Sequence, residues 1–160
     1  MITIRVLAVG KLKEAWMRDG CAEYIKRLGF WSDVSVVELD EFRLPENPSP
    51  AQIAECIEKE GARILDKIPR NSKMVAMCIE GRQLSSEQFA AWISKSAVDG
   101  SGDFTFVIGG SYGLSDQVKK RASLLLSMSL MTFPHQLARV LLLEQLYRAC
   151  SINANAKYHK

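Results

Sequence analysis

The run Phe106-Val107-Ile108-Gly109-Gly110-Ser111-Tyr112-Gly113-Leu114-Ser115 joins an apolar segment, a glycine-rich turn and a helix cap without a break. The continuously apolar Phe104 to Ile108 reads as a strand buried on both faces. Glycines at 109, 110 and 113 let the backbone turn sharply and approach a ligand closely. Ser115-Asp116 then opens a helix. In open parallel sheets ligands bind beyond the carboxyl ends of strands, and this turn stands at such a place. Its spacing matches neither GxGxxG nor the P-loop GxxxxGK[ST], which disfavours a phosphate cradle. The plainer alternative is a tight strand-to-helix turn that needs glycine only for its φ values.

Working outward, the same alternation recurs. Residues 2–9 (Ile-Thr-Ile-Arg-Val-Leu-Ala-Val) read as a buried strand ending at Gly10. Residues 14–28 show helical spacing, with Trp16, Cys21, Tyr24, Ile25 and Leu28 near one face. Val34, Val36 and Val37 mark a second strand. Asp40 to Pro50 is a proline-rich loop, and Ser49-Pro50 starts a helix carrying Ile53, Ile57, Ile64, Leu65 and Ile68, weakened in its middle by Gly61. Residues 74–79 form a third strand, closed by Glu80-Gly81. Ser85 or Ser86 caps a helix presenting Phe89, Trp92 and Ile93. A fifth strand is expected near Leu130 to Phe133, and a final helix over about 136–152. Continuously apolar strands alternating with helices predict an α/β fold: a parallel sheet covered on both faces, in one domain spanning residues 1–160.

Composition narrows the class. At 160 residues and 48% hydrophobic, the chain can bury a core without staples. Cys21, Cys56, Cys78 and Cys150 form no CxxC pair and lie at no metal-ligand spacing to a histidine, so they read as small apolar residues in a reducing compartment, and no metal is expected. The start of the chain lacks the order of a signal peptide, and no stretch approaches the roughly 20 apolar residues that span a bilayer. The expectation is a cytoplasmic protein with no membrane association. The net charge of +3 hides an asymmetry. Residues 1–118 hold 14 Lys+Arg against 17 Asp+Glu, whereas residues 119–160 hold 7 Lys+Arg against Glu144 alone. A basic C-terminal quarter is a candidate surface for a polyanion, or simply a solvated face.

Two further segments carry candidate chemistry. Ser127-Met128-Ser129-Leu130-Met131-Thr132-Phe133-Pro134-His135-Gln136 leads into a helix behind a proline. It can wrap an adenine with backbone groups and apolar side chains, or be an ordinary buried connection. His135 at a helix start is by general rule more often structural than catalytic. Arg139, Glu144, Tyr147 and Arg148, with the tail Tyr158-His159-Lys160, offer guanidinium groups for phosphate and rings for a splayed-out base. The plain alternative for the tail is a frayed end.

Together these residues resemble the RlmH family, the YbeA-like group of the SPOUT methyltransferases. The resemblance runs through Leu7-Ala8-Val9-Gly10-Lys11-Leu12-Lys13, Glu58-Lys59-Glu60-Gly61 and Phe106 to Gly110. It continues through Met131 to Gln136, Glu144 to Ala149 and Tyr158-His159-Lys160. It implies a sheet whose C-terminal part forms a deep trefoil knot, an exception to the rule that chains are unknotted. It also implies a homodimer with the methyl-donor site next to the partner subunit. The implied reaction is S-adenosylmethionine-dependent N3-methylation of a pseudouridine in helix 69 of 23S rRNA, on assembled 70S ribosomes. Carried onto this sequence, the donor pocket comprises Met77, Gly109, Met128, Ser129, Leu130, Met131, Thr132 and Phe133. Met77 often corresponds to leucine in close relatives, which keeps an apolar wall of similar volume. Arg148, Tyr158 and His159 fall on the RNA side. His135, Arg148 and His159 are the candidates for dealing with the proton on the target nitrogen. Two rivals are a ribosome-associated assembly factor that has lost transfer and a doubly wound nucleotide-binding domain, the latter disfavoured by the missing GxGxxG.

Overall fold

The computed structural model describes residues 1–100 and 102–158. Its strands are β1 (Ile2–Val9), β2 (Ser32–Leu39), β3 (Lys73–Gln83), β4 (Asp103–Ile108) and β5 (Leu124–Ser127). Its helices are α1 (Ala15–Leu28), α2 (Pro50–Lys67), α3 (Ser86–Val98), α4 (Asp116–Arg121) and α5 (His135–Asn153). The strands form one parallel sheet in the order β2-β1-β4-β3-β5.

Strand periodicity divides the core in two. Ile4, Val6 and Ala8 of β1 and Phe104, Phe106 and Ile108 of β4 point to the face covered by α1, α3 and α5. Leu7, Val9 and Val107 point the other way, where Ile64 of α2 and Val118 of α4 cover them. Burial on both faces is why these strands are mostly apolar, with Arg5 of β1 satisfied by Asp103 and Thr105 of β4.

Local chemistry sets the helix starts. Ser49 and Ser85 each form a reciprocal capping box, with Gln52 and Gln88 as partners. Ser115 Oγ accepts from Val118 N at 3.3 Å and caps α4. Gly61 sits mid-helix because α2 packs hard against the start of α4: a Cβ there would lie 2.9 Å from Ser115 Cβ.

One expectation is corrected. The fifth strand is Leu124–Ser127, not Leu130 to Phe133. Ser123 N donates to Met74 O at 2.8 Å, which draws the Leu124-Leu125-Leu126 run onto β3 directly after α4. Beyond it the serines turn the backbone on itself, with Ser127 Oγ donating to Ser129 O and Met131 N donating to Ser129 Oγ, both at 3.0 Å. Pro134 supplies no N–H for a ladder. Residues 130–133 are therefore a loop, with Leu130 87% and Met131 75% exposed. A second difference concerns Trp16, which is 58% exposed rather than packed on the α1 core face. Among the described residues no helix is long and apolar enough to cross a membrane.

Candidate functional site

The carboxyl ends of β3, β4 and β5 open into a cleft of about 750 Å³. Its shape originates in an irregularity of β3. Met77 pairs with Leu126, then the register slips, and pairing resumes at Arg82 and Gln83. The register is lost over residues 78–81, where Gly81 lies so close to β5 that a Cβ would sit 2.7 Å from the backbone of Leu125 and Leu126. The glycine turn closes the next wall. Gly113, at φ +84°, donates to Gly110 O at 3.1 Å, and a Cβ on Gly109 would strike Leu114 at 2.9 Å.

Of the residues expected to hold the donor, Met77, Gly109, Met128, Ser129, Met131, Thr132 and Phe133 all line this cleft, although they come from three separate segments. Leu130 does not line it and points outward. Ile108, Leu126 and Pro134 add apolar wall, and the charge at the rim comes from Glu80 paired with Lys119. His135 also lines the cleft, at the first turn of α5. Its Nε2 is buried, makes no hydrogen bond among the described residues, and faces Glu41 Oε1 at 3.7 Å.

Behind the cleft lies a polar layer. Arg139, one turn past His135, is 3% exposed. It donates to Glu38 Oε2 at 2.7 Å and to Gly10 O at 3.0 Å. It thus ties α5 to the ends of β1 and β2 and does not offer itself to a polyanion. Gly10, at φ +92°, leaves room for Glu41, whose Oε1 a Cβ would approach to 2.8 Å. Glu60 is 5% exposed and accepts from Phe42 N at 3.0 Å, while its Oε1 lies 3.1 Å from where a Gly110 Cβ would be. Burial pushes its carboxyl above the usual carboxylate range, opposed by the Phe42 N–H. Glu60 and Gly61 therefore brace the two ends of the glycine turn from behind. The only sequence trace of this was the Glu58-Lys59-Glu60-Gly61 motif, to which no role attached.

The remaining candidates assemble elsewhere. Arg148 pairs with Glu144 one turn before it and lies over the Tyr158 ring at 5.0 Å. Tyr158 Oη donates to Glu144 Oε1 at 3.2 Å, and its ring meets Tyr147 edge-on at 4.6 Å. Tyr24 and Trp31 extend the cluster. Burial, then hydrogen bonding and the neighbouring carboxylate, push the Tyr158 hydroxyl up to about 12. The tail up to Tyr158 is thus packed and not frayed, while His159 lies outside the described residues. Arg148 follows His135 by thirteen positions on one helix, about 20 Å at 1.5 Å per residue.

This sheet order, with a cleft at its carboxyl end walled by a glycine turn and an apolar loop, has a counterpart among known families. Residues 2–159 match the family model described as "Predicted SPOUT methyltransferase". The chain belongs to the SPOUT methyltransferase family. Within it, the chain is 48% identical over 157 residues to the ribosomal RNA large subunit methyltransferase H of Streptococcus thermophilus (strain CNRZ 1066), covering 98% of this chain and 99% of that one. It is 49% identical over 159 residues to the protein of the same name from Bacillus thuringiensis (strain Al Hakam), covering 99% and 100%. The fold also resembles a Legionella pneumophila protein described as a methyltransferase and solved with the cofactor SAM bound, at TM-score 0.51 and 12% identity, over 92% of this chain and 66% of that one.

Proposed function

We propose that this protein is a ribosomal RNA methyltransferase of one domain. In this reading it moves a methyl group from S-adenosylmethionine to N3 of a pseudouridine in helix 69 of 23S rRNA, as a cytoplasmic homodimer acting on assembled 70S ribosomes. The observation that carries the reading is the cleft, where segments around Met77, Gly109 and Met128 to Phe133 converge from distant parts of the chain. The names of the relatives support the rRNA substrate, and the SAM-bound neighbour supports the donor.

The residues fit such a donor. Met77, Ile108, Leu126 and Phe133 make an apolar slot for an adenine, and glycine and loop backbone groups can meet its polar edge without bringing charge. When bound, S-adenosylmethionine supplies an electrophilic methyl on a sulfonium. The protein's work is then positional: the acceptor nitrogen must be held about 3 Å from that methyl and in line with the departing bond. The proton on N3 must also leave. A hydroxyl with its pKa near 12 stays protonated at neutral pH, so Tyr158 serves as a donor or stacking ring and not as the base. Arg148 stays charged and stabilises negative charge on the target ring. His135 stands at the cleft as a proton acceptor. His159 shares the candidacy by resemblance alone.

A homodimer resolves the separation between these groups. Arg148 and Tyr158 lie about 20 Å along α5 from the cleft of their own chain, so a second copy has to present them. Surface chemistry supports this. Trp16, Leu130 and Met131 are exposed, and the apolar run Val140 to Leu143 goes round the middle of α5, leaving Leu137 and Leu141 incompletely covered. Lys13 N donates to Gln136 Oε1, tying the start of α1 to the start of α5 beside that surface. The trefoil knot belongs to the same reading.

The test is transfer of radiolabel from S-adenosylmethionine to 70S ribosomes lacking the modification, free 50S subunits and naked 23S rRNA. Label at a helix 69 pseudouridine, chiefly from 70S, is the expected result. Donor binding without transfer to any of the three would sink the substrate assignment.

A further inference from the structure

The donor residues account for only part of the cleft. Ile79, Glu80, Tyr112 and Lys119 also line it, from the irregular stretch of β3, the tip of the glycine turn and α4. We propose that they form a subsite for a nucleotide of the acceptor RNA flanking the one that is methylated, with its base stacked on Tyr112 and its phosphate taken by Lys119. The inference rests on the rRNA methyltransferase reading and adds to it a binding site on the donor-bearing subunit itself.

Tyr112 differs from the other tyrosines of the chain. Tyr24, Tyr147 and Tyr158 pack ring against ring. Tyr112 meets no aromatic ring among the described residues, is 44% exposed, and lines the cleft. It is nevertheless not on a loose loop. The Gly113 N to Gly110 O hydrogen bond closes the turn beneath it, and Glu60 and Ser115 brace that turn from behind. An amphipathic ring on a fixed turn offers stacking area at low entropic cost, with two side-chain torsions to freeze. Packing does not account for a half-exposed ring in that position, whereas a base laid across it would cover it.

The cation stands where a backbone would need it. Lys119 lies on the helix that follows the turn and pairs with Glu80 on the irregular stretch of β3. Glu80 is 56% exposed and Lys119 26%, so the pair is partly in water and a phosphate can compete with Glu80 for Lys119. Lys120 and Arg121 continue the positive run along α4. An exposed ring and a cation lining the same cleft are a pairing that binds single-stranded RNA without reading base identity. The subsite therefore contributes affinity and alignment and leaves the choice of base to the reaction centre.

The experiment measures binding of unmodified 70S ribosomes by filter retention, and of S-adenosylhomocysteine by calorimetry, on full-length variants. Tyr112→Ala is expected to weaken ribosome binding roughly 5- to 150-fold while leaving the donor product unaffected, and Tyr112→Phe to restore wild-type behaviour. Lys119→Gln should lower the slope of log affinity against log salt by about one. Glu80→Gln should tighten ribosome binding at low salt, because it frees the lysine and removes a carboxylate from the path of the phosphate. Wild-type ribosome affinity in Tyr112→Ala overturns the subsite. So does a loss confined to S-adenosylhomocysteine, which would place the ring against the donor. A wild-type protein that transfers methyl to no ribosomal RNA defeats the functional reading itself; transfer by wild type with Tyr112→Ala indistinguishable from it defeats the subsite alone.

Discussion

The two ends of α5 are built on opposite principles. At the first turn, His135 has a buried nitrogen without a hydrogen bond, set among apolar walls and glycine backbone. At the far end, Glu144, Tyr147, Arg148 and Tyr158 satisfy one another within one cluster. The first end is a receptacle with bonding capacity left for a ligand. The second is a set of groups that hold one another, about 20 Å along the helix from the first. On the proposed reading, one copy of this protein carries both groups at opposite ends of one helix, and a second copy brings them together.

Complementation between defective copies tests the separation of the two ends most directly. Gly109→Val and Arg148→Ala are each expected to cost about 100-fold or more in methyl transfer. Mixed at equal amounts and allowed to exchange, they should regain about a quarter of wild-type activity, since half the dimers are mixed and each of those has one intact site. Dead mixtures of folded, exchanging chains would end the shared-site reading. Next in size, Glu144→Gln loosens both Arg148 and Tyr158, and should lower kcat/KM for ribosomes about tenfold. Donor affinity should stay unchanged, and an equal fall in donor affinity would mean the two ends are not independent. Gly61→Ala probes the receptacle from behind. Its methyl meets Ser115, at a cost of about 1–3 kcal/mol and a melting temperature lower by roughly 2–10 °C, with weaker donor binding. An unchanged melting curve would show that α2 does not brace the turn.

The smallest effect concerns Glu60. Its folded-state pKa is raised by burial, so the native state holds the proton more tightly than the unfolded chain does. Wild-type stability therefore falls as pH rises from the ordinary carboxylate range through the raised value, and stays lower above it. Glu60→Gln removes this dependence, so its melting temperature relative to wild type should rise by on the order of a degree or two between pH 4 and pH 8. A difference that stays flat across that range would contradict the assignment.

Much of this architecture was legible in residues alone, for identifiable reasons. Strands buried on both faces leave uninterrupted apolar runs, so β1, β3 and β4 stood out, and serine caps marked α2, α3 and α4. The fifth strand was misplaced because two apolar runs, Leu124-Leu125-Leu126 and Leu130-Met131, compete within eight residues. What separates them is the Ser123 bond to Met74, a partner some fifty residues away. The cleft residues expected to hold the donor were reached through resemblance, since their convergence from three segments is a tertiary fact. Arg139 was misleading in sequence: an arginine in a basic quarter reads as an anion binder, but Glu38 and Gly10 take it inward. Glu60 and Tyr112 carried no local signal, because what marks them is burial in one case and exposure in the other.

The order of strands in the sheet also sets a schedule for synthesis. β1 can pair with β2 as soon as about forty residues have been made, but its other edge waits for β4, with Thr3 opposite Asp103. At ribosomal rates of about 5–20 residues per second, that interval is several seconds or more. During it, Ile4, Val6 and Leu7 present an unpaired apolar edge, the kind of surface that recruits strands from other chains. A protein whose proposed substrate is the ribosome thus passes its most aggregation-prone moments at the exit of that same machine.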